Sequence, residues 1–259
     1  MNGKHEKIAV LVSVGKHPVS GGARYSRNDA AALDIARQLS SQHAARLDVL
    51  HAGDPGNPAL EEYLALGAER VEVLTCNENG DAVGLLAARL KGYDLVLTGT
   101  CAEGAFDSGM LPYRLADALQ APLVGAAVDV TIAGGRATVR QFLPKGVRRR
   151  VEVALPAVIA VHPLASVTPR YAFARLRAGS IQPQRVEAVP DAEAAQWTLA
   201  PVTRKPVRLA AAEKRSGHAR MLSATTTESR GGSVVIEGTS VEKAQVILDY
   251  LREHQLIDY

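Results

Sequence analysis

The stretch that decides the fold is Asp94–Asp117, DLVLTGTCAEGAFDSGMLPYRLAD. A short apolar run (95–97) leads through small residues into a loop that ends in Asp107-Ser108-Gly109, and a helical pattern follows. This order predicts a strand whose carboxyl end opens over a helix N-terminus. Unpaired N–H groups and the positive end of the helix dipole favour a phosphate there. A loop capped by Asp107 or Ser108, with nothing bound, explains the pattern equally well.

Strand and helix patterns alternate through the first half of the chain. Apolar runs predict strands at 8–14, 47–52, 70–76 and 94–98, and helical patterns lie between them at 29–42, 57–66 and 81–91. Such alternation predicts a mostly parallel α/β sheet with right-handed crossovers. After a helix at 112–119, two apolar strands flank Gly134-Gly135, which is typical of an added antiparallel hairpin. Further strands are predicted at 150–153 and 156–161.

The last third of the chain has a weaker pattern. Prolines recur between Pro163 and Pro206, which suits an extended segment lying on another surface. A final strand is predicted at 234–237, and Ser240 is predicted to cap a helix whose apolar face needs a surface to cover. We therefore predict an α/β domain at 1–185 and, at 186–259, an extended C-terminal arm ending in a helix that packs on a partner subunit.

Composition excludes several classes of function. A net charge of +3 is too small to indicate nucleic acid, and no run approaches the roughly 18 apolar residues of a membrane span. Cys76 and Cys101 lie far apart without a Cys-x-x-Cys partner, so neither a disulfide framework nor a zinc site is indicated. We expect a cytoplasmic protein that is not membrane-embedded.

No motif for self-contained catalysis is present. G-x-S-x-G, G-x-x-x-x-G-K-[ST] and H-E-x-x-H are all absent, and the histidines are dispersed. His162, just after a predicted buried strand, is expected to be structural, whereas His51 at a strand end either contacts a ligand or forms a polar rim. We expect no catalytic residue and no metal ligand.

Five landmarks, taken in order, resemble the β subunit of electron-transfer flavoproteins. They are VLVSV (10–14), SRNDAAALDIA (26–36), YLALGAERVEVL (63–74), DLVLTGTCAEGAFDSG (94–109) and LPAVIAVHPLASVTPRYA (155–172). The resemblance covers almost the whole chain and implies an adenine-nucleotide-binding (HUP/Rossmann-like) fold. It also implies an electron carrier rather than an enzyme. Its α-subunit partner would hold FAD, a flavin dehydrogenase would donate electrons, and a membrane quinone oxidoreductase would accept them.

The resemblance further implies a nucleotide site, which usually holds AMP and in bifurcating relatives a second FAD. Mapped onto this sequence, it comprises Ser13, Asn28, Ala52, Gly99, Thr100, Cys101, Asp107, Ser108 and Gly109. Family members typically carry Asn-Gln-Thr-Gly-Gln where this chain has Phe106–Met110. A carboxylate at Asp107 disfavours a phosphate unless it points away and caps the helix. AMP, a second FAD and no nucleotide all stay open.

In family members the loop after Pro169-Arg170-Tyr171 docks into the dehydrogenase through a leucine. The corresponding position here is Ala174, flanked by Phe173 and Leu176. Either Phe173 supplies the apolar anchor of an interface or it packs locally.

The family's acidic turn before the LPAV strand is basic here, from Lys145 to Arg150. This turn is either solvated or in contact with an acidic partner. The altered anchor and the altered turn together predict a donor that differs from the acyl-CoA dehydrogenases, namely an amine-oxidising flavin dehydrogenase.

A second class of protein shares the predicted sheet, the stand-alone nucleotide-binding regulators of the universal-stress type. The added hairpin and the long proline-rich segment argue against it, because such small domains lack both.

Overall fold

The computed structural model describes residues 7–17, 19–77, 80–101, 109–186, 189–198, 200–201, 216–218, 221, 237–254 and 256–257. The chain divides into two compact units, Met1–Trp197 and Thr198–Tyr259. The boundary between the α/β domain (1–185) and the C-terminal arm (186–259) stays a prediction. Among the described residues, no helix is both long and apolar enough to cross a bilayer.

The first unit is built around a large β-sheet. Its described strands are β1 (Lys7–Leu11), β2 (Val14–Lys16), β3 (Ala23–Tyr25), β4 (Arg46–Gly53), β5 (Arg70–Thr75), β6 (Leu95–Gly99), β7 (Leu123–Ala133), β8 (Arg136–Phe142), β9 (Arg148–Ala154), β10 (Ala157–Val161) and β11 (Ser180–Arg185). Nine of them form one sheet in the order β11-β5-β4-β1-β6-β10-β7-β8-β9, and β2 and β3 form a separate hairpin. All pairs from β11 to β7 are parallel, while β7-β8 and β8-β9 are antiparallel.

Helices cover both faces of the sheet. The helices of the first unit are α1 (Arg27–His43), α2 (Ala59–Leu66), α3 (Ala82–Arg89), α4 (Leu111–Ala118) and α5 (Phe173–Ala178). The second unit contains α6 (Ser240–Glu253). Alternate residues of a strand point to opposite faces. Ile8 of β1 therefore packs in one core with α1 and α2, and Ala9 packs in the other with α3 and α4.

The predicted fold class is confirmed. The sheet is α/β and mostly parallel, and the expected hairpin is β7-β8. Gly134 (φ 56°) and Gly135 (φ 72°) both have the positive φ that this two-residue turn requires.

The chain order places a topological switch point beside β1. The chain runs from β1 to β4 and β5 on one side and then crosses to β6 on the other. The carboxyl ends of β1 and β6 therefore flank the position at which ligands bind in open α/β sheets.

The single strand predicted at 8–14 is wrong. β1 ends at Leu11, and Val14 instead starts the small hairpin with β3. Ser13 is left between the two, with its backbone N–H turned to the carboxylate of Asp29 at 2.8 Å. The strand therefore ends beside Ser13, the polar residue within the run at 8–14, whose N–H is bound by a carboxylate instead of a neighbouring strand.

The described residues 173–185, within the segment predicted to be extended, form a short helix and a strand. β11 adds to the sheet parallel to β5, with Pro183 opposite Val73. Proline is tolerated there because β11 is an edge strand. In the second unit the cap of α6 is Thr239 rather than Ser240, and Glu242 completes a capping box. The strand predicted at 234–237 lies, apart from Glu237, outside the described residues.

Candidate functional site

A pocket of about 270 Å³ lies at the carboxyl ends of β1, β4 and β6. It is lined by Leu11, Val12, Ser13, Asp29, Leu50, His51, Ala52, Ala82, Leu86, Thr98, Gly99, Cys101, Leu111 and Pro112. Apolar side chains from the strands and from α3 and α4 thus share one cavity with a few polar groups. This combination is typical of a small-ligand site.

Four of the residues predicted for the nucleotide site line this pocket, namely Ser13, Ala52, Gly99 and Cys101. Asn28 is buried beside them, and its Nδ2 donates to the carbonyl oxygen of Cys101 at 3.1 Å and lies 3.2 Å from the sulfur. The start of α1 is thereby tied to the loop after β6.

The remaining predicted residues are less central. Thr100 and Gly109 are half-buried and adjacent, since a Cβ added to Gly109 would lie 3.4 Å from the Thr100 oxygen. Asp107 and Ser108 lie outside the described residues. The N-cap of α4 is Met110, which makes no side-chain capping bond, and Pro112 sits in the first turn.

Asp29 is the most connected polar group of the pocket, and the sequence argument missed it. Its carboxylate accepts from the backbone N–H of Ser13 at 2.8 Å, from the hydroxyl of Ser13 at 2.5 Å and from the N–H of Gly99 at 2.9 Å. In the sequence Asp29 looks like an ordinary acidic residue in a first helical turn. The pattern carries no sign that it bridges β1 and β6.

Two opposing effects act on the ionisation of Asp29. Burial raises its pKa to about 7, although the hydrogen bonds from Ser13 and Gly99 act in the other direction. Its oxygens occupy the N–H groups at the ends of β1 and β6. A bound phosphate would have to find its donors elsewhere.

A buried tyrosine fixes the start of α1. The N–H of Ser26 donates to the Tyr63 hydroxyl at 2.9 Å, and that hydroxyl donates to the carbonyl of Ser13 at 2.6 Å. Ser26 also caps α1 by accepting from the N–H of Asp29. These bonds connect α1 and α2 to the residue that follows β1 at the pocket.

His51 contributes an imidazole ring to the pocket. Its Nδ1 lies 2.8 Å from the carbonyl oxygen of Val12, so Nδ1 carries the proton and donates. Burial lowers the pKa of His51, which leaves the ring neutral near pH 7. Among the described residues, no group of three or more His, Cys, Asp or Glu side chains could hold a metal ion.

A strap of residues 189–197 joins α3 and α4 near the pocket. The N–H of Asp81, the cap of α3, donates to the carbonyl of Val189 at 2.8 Å. Arg114 on α4 lies 3.6 Å from Asp191 and 3.9 Å from Glu193. Arg114 is therefore paired with this strap.

The predicted docking residues form one exposed segment. Pro169, Arg170, Tyr171, Phe173 and Ala174 are all exposed, and Leu176 is half-buried. Phe173 is 63% exposed, which suits an apolar anchor, and its role at an interface stays a prediction. The segment is held in place at Ala172, whose N–H donates to the carbonyl of Ala65 on α2 at 2.9 Å.

The basic turn carries an aromatic stack. The guanidinium of Arg148 lies over the Phe142 ring at 4.4 Å, and the other face of Phe142 stacks on His162 with centroids 4.2 Å apart. His162 thus has a packing role, as predicted. Arg149 donates to Gln141 at 2.9 Å and remains exposed with its neighbours.

The sheet order, the helices on both faces and the pocket at the switch point define a doubly wound α/β protein of the Rossmann-like class. The sequence model of the electron transfer flavoprotein domain matches residues 20–202. The electron transfer flavoprotein subunit beta of Chromohalobacter salexigens is 34% identical over 258 residues, which cover 97% of this chain and 96% of that protein.

The same-named subunit of Syntrophomonas wolfei is 34% identical over 139 residues, or 51% of this chain and 54% of that one. The chain therefore belongs to the electron transfer flavoprotein family and, within it, to the β subunits, as the landmark motifs predict. This membership sets aside the universal-stress alternative.

Proposed function

We propose that this chain is the β subunit of a heterodimeric electron-transfer flavoprotein. It accepts electrons from a flavin dehydrogenase and passes them toward the quinone pool through a membrane quinone oxidoreductase. FAD sits mainly on the α subunit and supplies the redox chemistry, while the protein binds the cofactor and orients it. Family membership supports the carrier role.

The pocket at the switch point carries the second part of the proposal, that this chain binds AMP as a structural cofactor. Its volume of about 270 Å³ is close to the lower end of small-ligand pockets, about 300 Å³. Leu11, Leu50 and Leu86 offer apolar surface to a purine ring. Since Asp29 occupies the N–H groups of Ser13 and Gly99, we place the phosphate toward the loop that leads into α4.

The α4 end of the pocket suits an anion on general grounds. The first N–H groups of a helix lack intrahelical partners and carry the positive end of its dipole. In α4 these groups reduce to the dipole and the N–H of Leu111, because Pro112 has no N–H and the N–H of Tyr113 donates to the carbonyl of Met110 at 3.0 Å. A nucleotide phosphate would therefore gain little from backbone donors of α4 beyond that N–H and the dipole.

Co-expression with a candidate α subunit tests the proposal. We expect a yellow one-to-one complex, and acid extraction followed by mass spectrometry should release AMP together with FAD. A chain that stays a stable monomer beside every flavin-bearing candidate would overturn the carrier role. A complex that releases FAD alone would overturn only the AMP site.

The donor is proposed to be an amine-oxidising flavin dehydrogenase. The exposed Phe173 and the exposed basic turn support this choice, because both depart from the pattern that suits acyl-CoA dehydrogenases. We also propose a cytoplasmic location. Cys76 and Cys101 are both free thiols, which suits a reducing compartment.

A further inference from the structure

A second cavity lies at the amino ends of the parallel strands, on the opposite edge of the sheet from the nucleotide pocket. Its volume is about 670 Å³. Arg46, Arg70 and Ser180 line it, and they are the first residues of β4, β5 and β11. Arg37 of α1 also lines it, whereas the lining contains a single carboxylate, that of Glu69. We call it the arginine cavity.

One buried carboxylate holds two of these arginines in place. Asp48 accepts from Nε of Arg46 at 2.8 Å and from Nη2 of Arg70 at 3.3 Å. A single negative charge thus faces two guanidinium groups, which leaves one positive charge of this group uncompensated. The side chains of Arg46 and Arg70 are 57% and 48% exposed, so their other N–H groups stay accessible.

The third arginine reaches the cavity across a glycine. A Cβ added at Gly67 would lie 2.5 Å from Cζ of Arg37, so the guanidinium rests directly on the backbone there. The ion pair of Arg37 with Asp34 is long, 3.7 Å, and the arginine side chain is about one third exposed. A carboxylate that enters the cavity can therefore bind Arg37 as well.

Helix capping does not account for the three arginines. α1 and α2 end at this edge of the sheet, and the last carbonyl groups of a helix attract cations. The end of α1 is closed by a backbone bond from the N–H of Ala45 to the carbonyl of Ser40 at 3.1 Å. Arg37 makes one long bond, 3.4 Å, to the carbonyl of Leu66 at the end of α2. Guanidinium donors therefore remain for another acceptor.

The arginine cavity adjoins the exposed segment that carries Phe173. Both are attached to α2, since the N–H of Ala172 donates to an α2 carbonyl at 2.9 Å and Gly67, directly after that helix, lines the cavity. The last turn of α5 adds two exposed arginines, Arg175 and Arg177. A partner that contacts Phe173 would therefore also meet a positively charged surface.

We propose that the arginine cavity receives an acidic segment of the donor dehydrogenase, whose carboxylates pair with Arg37, Arg46 and Arg70 beside the apolar contact at Phe173. This inference rests on the proposed function and adds to it the charge of the donor's docking surface. Arginine presents a planar fork that binds a carboxylate through two N–H groups, and it is enriched at protein interfaces. Partly exposed charge pairs mainly speed and orient association, so the interaction depends on salt.

Reduction of the heterodimer by the donor dehydrogenase tests the inference. The double variant Arg37→Gln/Arg70→Gln removes two charges of the cavity and leaves Arg46 bound to Asp48. We expect its KM with the dehydrogenase to rise about 5- to 10-fold at low salt while kcat is unchanged, the effect of losing two partly exposed charge pairs. About 0.5 M NaCl should remove the difference, because it screens such pairs. Partial unfolding of the variant would instead lower the maximal rate and leave KM in place.

The double variant Arg136→Gln/Arg140→Gln is the matched control. Both arginines lie on β8, toward the other edge of the sheet, and each is about half exposed and paired with one carboxylate. The control loses the same charge and should keep the wild-type KM. An equal rise of KM in the two double variants would mean that net charge matters and the cavity does not. Loss of the heterodimer in the cavity variant alone would assign the cavity to the α subunit and so contradict the inference.

A hexaglutamate peptide provides a second readout. It should compete with the donor and raise the apparent KM of the wild-type heterodimer, whereas hexaglutamine should not. Hexaglutamate should have little effect on the Arg37→Gln/Arg70→Gln variant. An unchanged KM in that variant, or equal inhibition of variant and wild type, would overturn the role of the cavity and leave the carrier function standing. If no flavin dehydrogenase reduces the wild-type heterodimer, the proposed function fails and the inference fails with it.

Discussion

The carboxylate of Asp29 accepts a hydrogen bond from the backbone N–H of Gly99 at 2.9 Å and so links residues 70 positions apart in the chain. The bond joins the start of α1 to the end of β6 across the switch point. Because the same carboxylate also accepts from Ser13, one buried acid holds together the two strand ends that flank the pocket.

The raised pKa of Asp29, about 7, makes the stability of the fold depend on pH. The folded chain holds this proton more tightly than the unfolded chain, whose carboxyl titrates near 3.8. The free energy of unfolding should therefore fall by roughly 2–4 kcal/mol as the pH rises from about 4 to about 8. Asp29→Asn removes this titration. Urea unfolding of both proteins at several pH values measures the difference, and a difference independent of pH would contradict the prediction.

Gly99 should not tolerate a side chain. A Cβ there would overlap with Oδ1 of Asp29 and would lie 2.7 Å from the Cβ of Asn28. Gly99→Ala should lower the free energy of unfolding by about 2 kcal/mol and reduce the AMP that co-purifies. Gly125→Ala is the control, because its added Cβ would find its nearest neighbour at 3.8 Å. If Gly99→Ala and Gly125→Ala were equally stable, a side chain at position 99 would not clash with Asp29 and Asn28 as predicted.

Tyr93 stabilises a buried carboxylate away from the pocket. Its hydroxyl donates to Asp48 at 2.7 Å, and Arg46 binds the same carboxylate at 2.8 Å. Burial by itself raises the pKa of Asp48, but Tyr93 and Arg46 outweigh burial and hold that pKa below its usual value.

Tyr93→Phe leaves Asp48 with one donor fewer and should cost about 1–2 kcal/mol in urea unfolding. Tyr113→Phe, at an exposed tyrosine, should change stability by less than about 0.5 kcal/mol. A loss that is the same in both variants would mean that the hydroxyl of Tyr93 is not specifically needed.

Phe173 should matter for the donor dehydrogenase and not for folding. Phe173→Ala should raise the KM of the dehydrogenase for this carrier about 10-fold, because apolar anchors dominate interfaces. Leu164→Ala is matched in exposure, 64% against 63%, and should leave KM unchanged. An unchanged KM for Phe173→Ala would place the docking surface elsewhere.

The apolar face of α6 should bind the α subunit. Val241 is 75% exposed and Ile247 is 61% exposed, and no residue of α6 is buried. Ile247→Ser should weaken heterodimer formation in a pull-down titration, whereas Gln245→Ser, also exposed on α6, should not. Amide exchange of α6 should also slow in the complex. Exchange at the same rate in both states would exclude this contact.

Local patterns predicted most of the elements, because burial on both faces of a parallel strand produces continuous apolar runs. The paired glycines at 134–135 located the hairpin for a similarly local reason, their positive φ. The same logic failed at β1, which ends at Leu11, beside the Ser13 N–H that the carboxylate of Asp29 binds, although the run continues to residue 14. Local patterns also missed β11. That strand is recognised by its position at the edge of the sheet, which no local pattern records.

The sequence by itself determined the class of fold and the family, since both depend on periodic burial and on motifs that keep their order along the chain. Only the tertiary structure decided which polar groups meet at the pocket. Asp29 reaches the end of β6, and Nδ1 of His51 reaches Val12, because the crossovers bring distant strand ends together. Contacts across 70 and 39 residues leave no trace in local spacing, which is why neither side chain could be assigned its role before the sheet was assembled.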